Sequence, residues 1–338
     1  MAFGWQTLRM RVRLIGKANG VGLSRDFDML EAPLRASGCD VQRQPCDRRE
    51  RRRRRSLLTT MLSSMRGLRA AHEQPKADVN IMLEHVWPQF LHQARYNVLV
   101  PNPEWFDWRD GSLLARMNRV WTKTQLSEQI FVARGCQTVR IGFDSEDRFQ
   151  SDVVRRPQFL HLAGRSELKG TARLLATWLR HPEWPMLTIV QDASVGKSPP
   201  QTPASNIVYE NDYLDDVALR RLQNSHQYHL CLSEAEGWGH YVAEAMSVGA
   251  VVLTSDAAPM NELVTASRGM LIAAEQGEQH NLVRLALFQD RALEQAIAHL
   301  KTLAPAQVET LGKEARLWFL DNKRDFPERV RRAVADIA

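Results

Sequence analysis

The feature that most constrains the fold is the alternation of short apolar runs with helix-like stretches along the chain. Each run is the length of one strand and is rich in aliphatic and β-branched residues, as in RMRVRLIG (9–16), YNVLVPN (96–102) and VVLTSD (251–256). Strands that are buried between crossover helices produce this pattern. The sequence therefore predicts an α/β fold with mostly parallel, doubly wound sheets.

The alternation restarts after a polar stretch at residues 144–158, which we interpret as an interdomain linker. A chain of 338 residues also exceeds what one hydrophobic core usually serves. We therefore expect an N-terminal Rossmann-like domain at 1–150, a C-terminal Rossmann-like domain at 151–315, and helices at 316–338 that return toward the first domain. The tail from Leu282 onward is predicted to be helical.

Composition is that of a globular protein, with 44% hydrophobic and 25% charged residues. The chain contains neither a signal-peptide-like start nor an apolar run of about 18 residues, so we expect a cytoplasmic protein. The four cysteines are scattered without a C-x-x-C pair, which argues against a disulfide framework or a zinc site. The formal net charge of +6 indicates an anionic partner.

A block of five arginines, Arg51–Arg55, is the most unusual local composition. Runs of like charge usually form solvated segments. The residues that follow are compatible with an amphipathic helix, so peripheral contact with an anionic membrane stays open as an alternative. Nucleic acid is not expected as a partner, because no recognised binding motif accompanies the arginines.

A candidate ligand site lies in the stretch LCLSEAEGWGHYVAEAM (230–246), where a strand leads into a helix that we expect to begin near His240. Gly237 and Gly239 lie in the turn, where a ligand can approach the backbone closely. The free N–H groups of a helix N-terminus bind phosphate. Glu236 and Glu244 would repel phosphate, so we expect them to accept hydrogen bonds from sugar or ribose hydroxyls.

This stretch resembles the Glu-x7-Glu motif of retaining GT-B glycosyltransferases of the family 4, or group 1, type. The similarity spans roughly residues 158–275 and includes HLAGRSELKG (161–170) and NELV (261–264). It implies two Rossmann-like domains that face a cleft. It also implies transfer of a hexose-type sugar from a UDP- or GDP-type nucleotide sugar, without cofactor or metal. The acceptor is not identified by the sequence and would be a glycan, a lipid-linked compound or a small molecule.

The same resemblance implies roles for individual residues in the second half of the chain. Arg165 and Lys169 would neutralise the donor diphosphate, Glu236 would bind hydroxyls of the transferred sugar, and Glu244 would bind the ribose. The backbone of Gly237, Trp238 and Gly239 would contact the sugar and the phosphate.

Three residues of the first half are also candidates. Gly20 and Gly22 resemble the glycine loop that closes on the donor phosphate in this family, although an ordinary strand-to-helix turn explains them equally well. His85 follows the apolar run VNIML, at a strand end where its side chain could contact the acceptor or the donor sugar. A structural role for His85 is the alternative.

Asp26 and Asp28 form an Asp-x-Asp sequence that imitates a metal site. Ser24 is a plausible N-cap, which would place both carboxylates in the positive first turn of a helix. We therefore expect them to interact with the helix dipole, and we expect no metal site in the chain.

Three other functions stay open. A nucleotide-sugar epimerase would share the fold but would need acid and base groups and no second substrate. A non-catalytic protein that kept the fold would be indicated by bulky side chains in the donor pocket or by an internal salt bridge at Glu236. A polyanion-binding protein would use Arg51–Arg55 and would bind with a steep dependence on salt.

Overall fold

The structure, a computed structural model, describes residues 9–17, 22–46, 75–192, 194 and 204–337. The chain divides into two compact units, one formed by Met1–Phe143 with Arg324–Ala338 and the other by Asp144–Lys323. Gly20 and the arginine block Arg51–Arg55 lie outside the described residues.

The first unit is built on a six-stranded parallel sheet with the order β2-β1-β3-β4-β5-β6. Its central strands carry fully buried side chains, such as Leu14, Ile81 and Leu99. The elements are β1 (Arg11–Gly16), α1 (Gly22–Ala36), β2 (Asp40–Pro45), β3 (Ala77–Glu84), β4 (Ala94–Pro101), β5 (Arg119–Thr122), α2 (Gln125–Val132) and β6 (Thr138–Arg140), with 3-10 helices at Pro88–Phe90 and Trp108–Arg116.

The expected dipole role of Asp26 and Asp28 is wrong. Helix α1 begins at Gly22, before the N-cap expected at Ser24, so its first turn contains no acidic residue. Asp26 instead accepts a hydrogen bond of 2.6 Å from the ammonium of Lys123, and both residues are only 3% exposed. A buried charge needs a partner of opposite charge, and a residue nearly 100 positions away supplies it here.

The second unit is built on another six-stranded parallel sheet, with the order β12-β11-β10-β7-β8-β9. Its elements are β7 (Arg156–Gly164), α3 (Thr171–Leu179), β8 (Leu187–Gln191), β9 (Ile207–Glu210), α4 (Asp216–Ser225), β10 (His226–Cys231), α5 (His240–Ser247), β11 (Val251–Ser255), α6 (Met260–Leu263), β12 (Gly269–Ile272), β13 (Ala274–His280), β14 (Val283–Phe288) and α7 (Asp290–Leu300). The last helix, α8 (Pro305–Ala335), begins in this unit and belongs to the first unit from Arg324 onward.

The prediction of a helical tail from Leu282 onward is wrong for its first residues. Strands β13 and β14 form an antiparallel hairpin that turns at Asn281, which has a positive φ of 50°. The two leucines and the alanine of β14 favour a helix, but Val283 and Leu285 are buried while Arg284 between them is exposed, as in a strand. The helical prediction applies only from α7 onward.

The chain changes direction across the second sheet between β7 and β10. Strands β8 and β9 follow β7 on one side of it, whereas β10, β11 and β12 lie on the other side. The loops after β7 and β10 therefore leave the same edge of the sheet as neighbours. Ligands of doubly wound folds bind at such a point, outside the carboxyl ends of the strands.

Gly170 allows these two loops to touch. Its φ is +68°, and a Cβ atom added there would lie 2.6 Å from the carbonyl oxygen of Leu232 in the loop after β10. The N–H of Glu234 also donates to the carbonyl of Leu168 at 2.9 Å. Any side chain at Gly170 would force the loops apart.

His161 ties strand β7 to the start of helix α3. Its Nδ1 lies 2.8 Å from the carbonyl oxygen of Leu230, and its Nε2 lies 2.9 Å from Oγ1 of Thr171, the first residue of α3. Burial lowers the pKa of His161 to about 4. The ring is therefore neutral near pH 7, with Nδ1–H donating to the carbonyl and Nε2 accepting from the threonine hydroxyl.

We expect Gly170→Ala to destabilise the second unit more than Gly164→Ala. Both glycines have positive φ values, +68° and +54°, so each alanine carries a backbone penalty of about 1 to 2 kcal/mol. Only Gly170 faces a carbonyl oxygen, because no atom lies within 4 Å of a Cβ at Gly164. Urea unfolding of the two variants measures the difference, and equal losses would show that the contact with Leu232 adds nothing.

Acid should weaken the second unit through His161. Because its folded pKa is lowered, the stability from the neutral ring is complete above about pH 6.5 and is lost as the pH falls toward 4. The loss from this group is about 1.4 kcal/mol per pH unit in that window. We expect His161→Gln to remove this part of the slope when the free energy of unfolding is measured from pH 7 to 4.5. Parallel curves for the two proteins would contradict the assignment.

Candidate functional site

Lys169 and Glu236 meet where the loops after β7 and β10 touch. The ammonium of Lys169 donates to Oε1 of Glu236, and the two side chains are only 15% and 13% exposed. Two residues that the sequence assigned to one site thus form a direct ion pair, although 67 positions separate them. The pair places a cation and an acceptor of hydroxyl hydrogen bonds side by side.

Ser233 and Tyr241 complete this cluster. The hydroxyl of Ser233 donates to Oε1 of Glu236 at 2.5 Å and lies 2.6 Å from the hydroxyl of Tyr241. Burial raises the pKa of Tyr241, with Cys231 and Glu236 adding to the effect, so its hydroxyl keeps its proton and donates to Ser233. The ammonium of Lys169 also lies 3.6 Å from the centre of the Tyr241 ring, within the range of a cation–π contact.

Two helices begin beside this cluster with glycine in a left-handed conformation. Gly170 precedes α3, and Gly239, with a φ of 93°, precedes α5. The residue at each N-cap is glycine, so neither helix start has a capping side chain of its own. A Cβ at Gly239 would lie 3.3 Å from a methyl group of Val242. Gly237 is buried in the same turn.

The side chain of Trp238 is turned inward. It is 6% exposed, and its indole N–H donates to the hydroxyl of Ser145 at 3.1 Å. Its ring stacks near that of Trp318, with 6.5 Å between centroids. Ser145 also lies 2.9 Å from Nδ1 of His240 at the start of α5. The side chain of Trp238 therefore anchors the turn to Ser145.

Arg165 does not join the ion pair. Its guanidinium donates to Asp192 at 2.7 Å, and its side chain is 67% exposed. Asp192 also accepts from the hydroxyl and backbone N–H of Ser194, and the hydrogen bonds from Ser194 and Arg165 hold its pKa well below the usual range. Asp192 directly follows β8, which neighbours β7, so this second ion pair lies at the same edge of the sheet.

Glu244 is buried on helix α5, with an exposed fraction of 3%. Its Oε2 accepts from the amide of Gln223 at 3.1 Å, and the amide oxygen of Gln223 accepts from the fully buried Arg148 at 2.9 Å. Burial opposes the charge of Arg148, but a hydrogen bond to Asp216 and the attraction of Glu244 raise its pKa overall. The carboxylate of Glu244 is therefore fixed by a buried hydrogen-bond network with Gln223 and Arg148.

Gly22 and His85 follow β1 and β3, the strands between which the first sheet changes direction. Gly22 is the first residue of α1, after β1. His85 directly follows β3, and its Nε2 lies 3.8 Å from a carboxylate oxygen of Glu84. Glu84 has a positive φ of 64°, which is uncommon for a residue other than glycine and is concentrated at functional sites.

The described part of the chain contains neither a metal-binding cluster nor a membrane-spanning helix. No cluster of three or more His, Cys, Asp or Glu side chains there is arranged to hold a metal ion. No helix among those residues is both long and apolar enough to cross a bilayer.

Sequence reasoning missed Ser233, Tyr241, Asp192 and Gly170 as parts of this region. Ser233 was recognisable as the polar residue that follows a buried strand, and Gly170 as the glycine before a helix. Tyr241 and Asp192 carried no local signal, because their roles depend on partners in other loops.

Comparisons with known proteins give matches at the level of structure. No protein-family model and no curated protein matches this chain. A glycosyltransferase from Rickettsia africae is 12% identical, with 98% of each chain covered and a TM-score of 0.68. Sucrose-phosphate synthase from Thermosynechococcus elongatus is 15% identical, with 97% of this chain and 98% of that chain covered and a TM-score of 0.66. Anabaena HepE in complex with UDP-glucose is 14% identical, with 97% and 100% covered and a TM-score of 0.66.

These neighbours are GT-B glycosyltransferases, and the matches extend over nearly the whole of both chains. Identities of 12–15% establish the architecture and leave the activity to be argued from the site. The predicted fold class is confirmed: the protein is an α/β protein of GT-B fold with two Rossmann-like units.

Proposed function

We propose that the protein is a retaining glycosyltransferase that moves a hexose-type sugar from a nucleotide sugar to an acceptor in the cytoplasm. Its GT-B fold supports this proposal, as does the structural similarity to HepE, which was solved with UDP-glucose. The donor in the proposal is a UDP- or GDP-type nucleotide sugar. The acceptor class stays open among glycans, lipid-linked compounds and small molecules.

The observation that carries the proposal is the meeting of Lys169 and Glu236 beside two helix N-termini. A nucleotide sugar presents a diphosphate next to a ring of hydroxyls. The ammonium and the positive ends of the two helices suit the diphosphate, and the carboxylate suits the hydroxyls. This combination occurs at the direction change of the sheet, where doubly wound folds bind their ligands.

In this proposal Lys169 and Arg165 bind the diphosphate, Glu236 binds the sugar, and Glu244 binds the ribose. The backbone of residues 237–239 contacts the sugar and the phosphate. Arg165 must exchange Asp192 for the ligand, which its exposed position permits. The proposed ligand contacts of the first unit are Gly20, Gly22 and His85.

Catalysis would come mainly from positive charge placed on the departing nucleoside diphosphate. Retention proceeds through an oxocarbenium-like transition state, in which negative charge accumulates on the leaving oxygen. One preorganised donor to such an oxygen is worth about 2.7 to 4 kcal/mol. Because Lys169 and Arg165 supply this charge, the proposed reaction needs no metal ion.

One observation favours a second candidate, a protein that keeps the fold without catalysis. The salt bridge between Lys169 and Glu236 occupies both groups that the donor would use. Such a protein would neither turn over a nucleotide sugar nor form a glycosylated product. An epimerase would also differ from a transferase, since it would convert the sugar of the donor without an acceptor.

The test begins with a thermal-shift panel of UDP-, GDP- and ADP-sugars. A ligand at about 100 times its Kd stabilises the folded protein by about 2.7 kcal/mol. We expect one nucleotide family to raise Tm, and we expect Arg165→Ala to weaken that donor about tenfold or more, because it removes a charge-assisted contact. Arg180→Ala is the matched control, since Arg180 is also an exposed arginine paired with an aspartate, Asp290, at 2.8 Å.

The donor that binds is then followed by proton NMR with EDTA present. Slow hydrolysis should release the sugar first as the anomer of the donor, which reports retention, at a rate that EDTA does not lower. Release of the opposite anomer would overturn the retaining mechanism. Binding without any turnover, even with a panel of acceptors, would favour the non-catalytic candidate, and a change in the sugar of the intact donor would favour the epimerase.

A further inference from the structure

The Lys169–Glu236 pair has few ways to separate without a cost in free energy. Both side chains are mostly buried, and Oε1 of Glu236 accepts from Lys169 and from Ser233. Removing one member of such a pair leaves the other charged group desolvated and without its partner. A ligand that binds only Lys169 or only Glu236 therefore has to offset the free-energy cost of leaving the other charged group without a partner.

The two parts of a nucleotide sugar differ in what they offer this pair. A diphosphate offers an anion that can replace Glu236 as the partner of Lys169, but it brings further negative charge next to that carboxylate. The sugar offers hydroxyl donors that can replace Lys169 as the partner of Glu236. Only a ligand with both parts gives each member of the pair a new partner.

The surroundings keep the pair closed when such a ligand is absent. The Tyr241 ring lies 3.6 Å from the Lys169 ammonium, on the side of helix α5. The hydrogen bonds from Tyr241 to Ser233 and from Ser233 to Glu236 fix the carboxylate. Three of these four residues lie in the segment 233–241, so one loop and one helix start set the geometry.

We propose that the Lys169–Glu236 pair makes the site selective for the complete nucleotide sugar over the free nucleoside diphosphate. This inference rests on the proposed function. The pair opens when the diphosphate and the sugar bind together, and it closes again when the sugar has left. Closure would then expel the nucleoside diphosphate, so Glu236 is a specificity-determining residue and assists product release.

The test compares Kd values for UDP and UDP-glucose by calorimetry, with GDP and GDP-mannose as the second set. In Glu236→Gln the lysine is released and the repelling charge is gone, so we expect UDP to bind about tenfold or more tightly than to the wild type. UDP-glucose should bind no more tightly, because the amide replaces a stronger acceptor of hydroxyl hydrogen bonds. The ratio of the two Kd values therefore changes by about tenfold or more.

Glu234→Gln is the matched control. It removes the same charge from the same loop, but the charges that act on Glu234 are those of Arg173 and Glu278, whereas Lys169 donates to Glu236. We expect it to leave the ratio of the two Kd values within about twofold of the wild type. Ser233→Ala provides a second variant, should Glu236→Gln not fold. It removes one hydrogen bond to the carboxylate and should shift the ratio in the same direction by a smaller factor.

Each outcome separates the inference from the function on which it rests. Binding of both ligands with an equal ratio in the wild type, Glu236→Gln and Ser233→Ala would overturn the selectivity and leave the proposed function intact. An equal rise in UDP affinity in Glu234→Gln would overturn it as well, since general charge would then be the cause. Failure of every nucleotide and nucleotide sugar to bind any of the proteins would overturn the proposed function together with the inference.

Discussion

The close approach of Gly170 to the carbonyl of Leu232 is the constraint on which the candidate site depends. It brings the loop after β7 against the loop after β10, at the position where the order of strands reverses. Lys169, which precedes Gly170, and Glu236, four residues after Leu232, belong to these two loops and meet there. The ring of His161 stabilises the same junction through hydrogen bonds to the carbonyl of Leu230 and the hydroxyl of Thr171. The stability of the strand ends and the geometry of the site are therefore linked.

Electrostatics at this junction follow from burial. Arg165, which is exposed, can change partners at little cost, whereas Lys169 and Glu236 are largely removed from water and need defined replacements. The same distinction applies to Glu244, whose carboxylate is satisfied within the protein by Gln223. An ion pair between two expected ligand contacts is thus compatible with a binding site, provided that the ligand carries both an anion and hydroxyl groups.

Local signals predicted the elements of the second unit well. The apolar runs predicted strands β7 to β11, and the Gly-Trp-Gly turn predicted a helix that begins near His240. The structure contains these strands, and helix α5 begins at His240. The hairpin of β13 and β14 was missed because leucine and alanine favour a helix when they are read alone. The prediction that Asp26 interacts with the helix dipole was wrong because α1 begins before the expected N-cap, Ser24. Its actual partner, Lys123, is distant in sequence.

The sequence by itself determined the fold class and the residue types of the candidate site. Apolar periodicity, glycine turns and the spacing of Glu236 and Glu244 are local properties, so they can be read without coordinates. Tertiary structure decided which of these residues meet. It paired Lys169 with Glu236 and Arg165 with Asp192, turned Trp238 inward, and buried Glu244 against Gln223. Such pairings depend on strand order and burial, which arise from contacts between segments far apart in the chain.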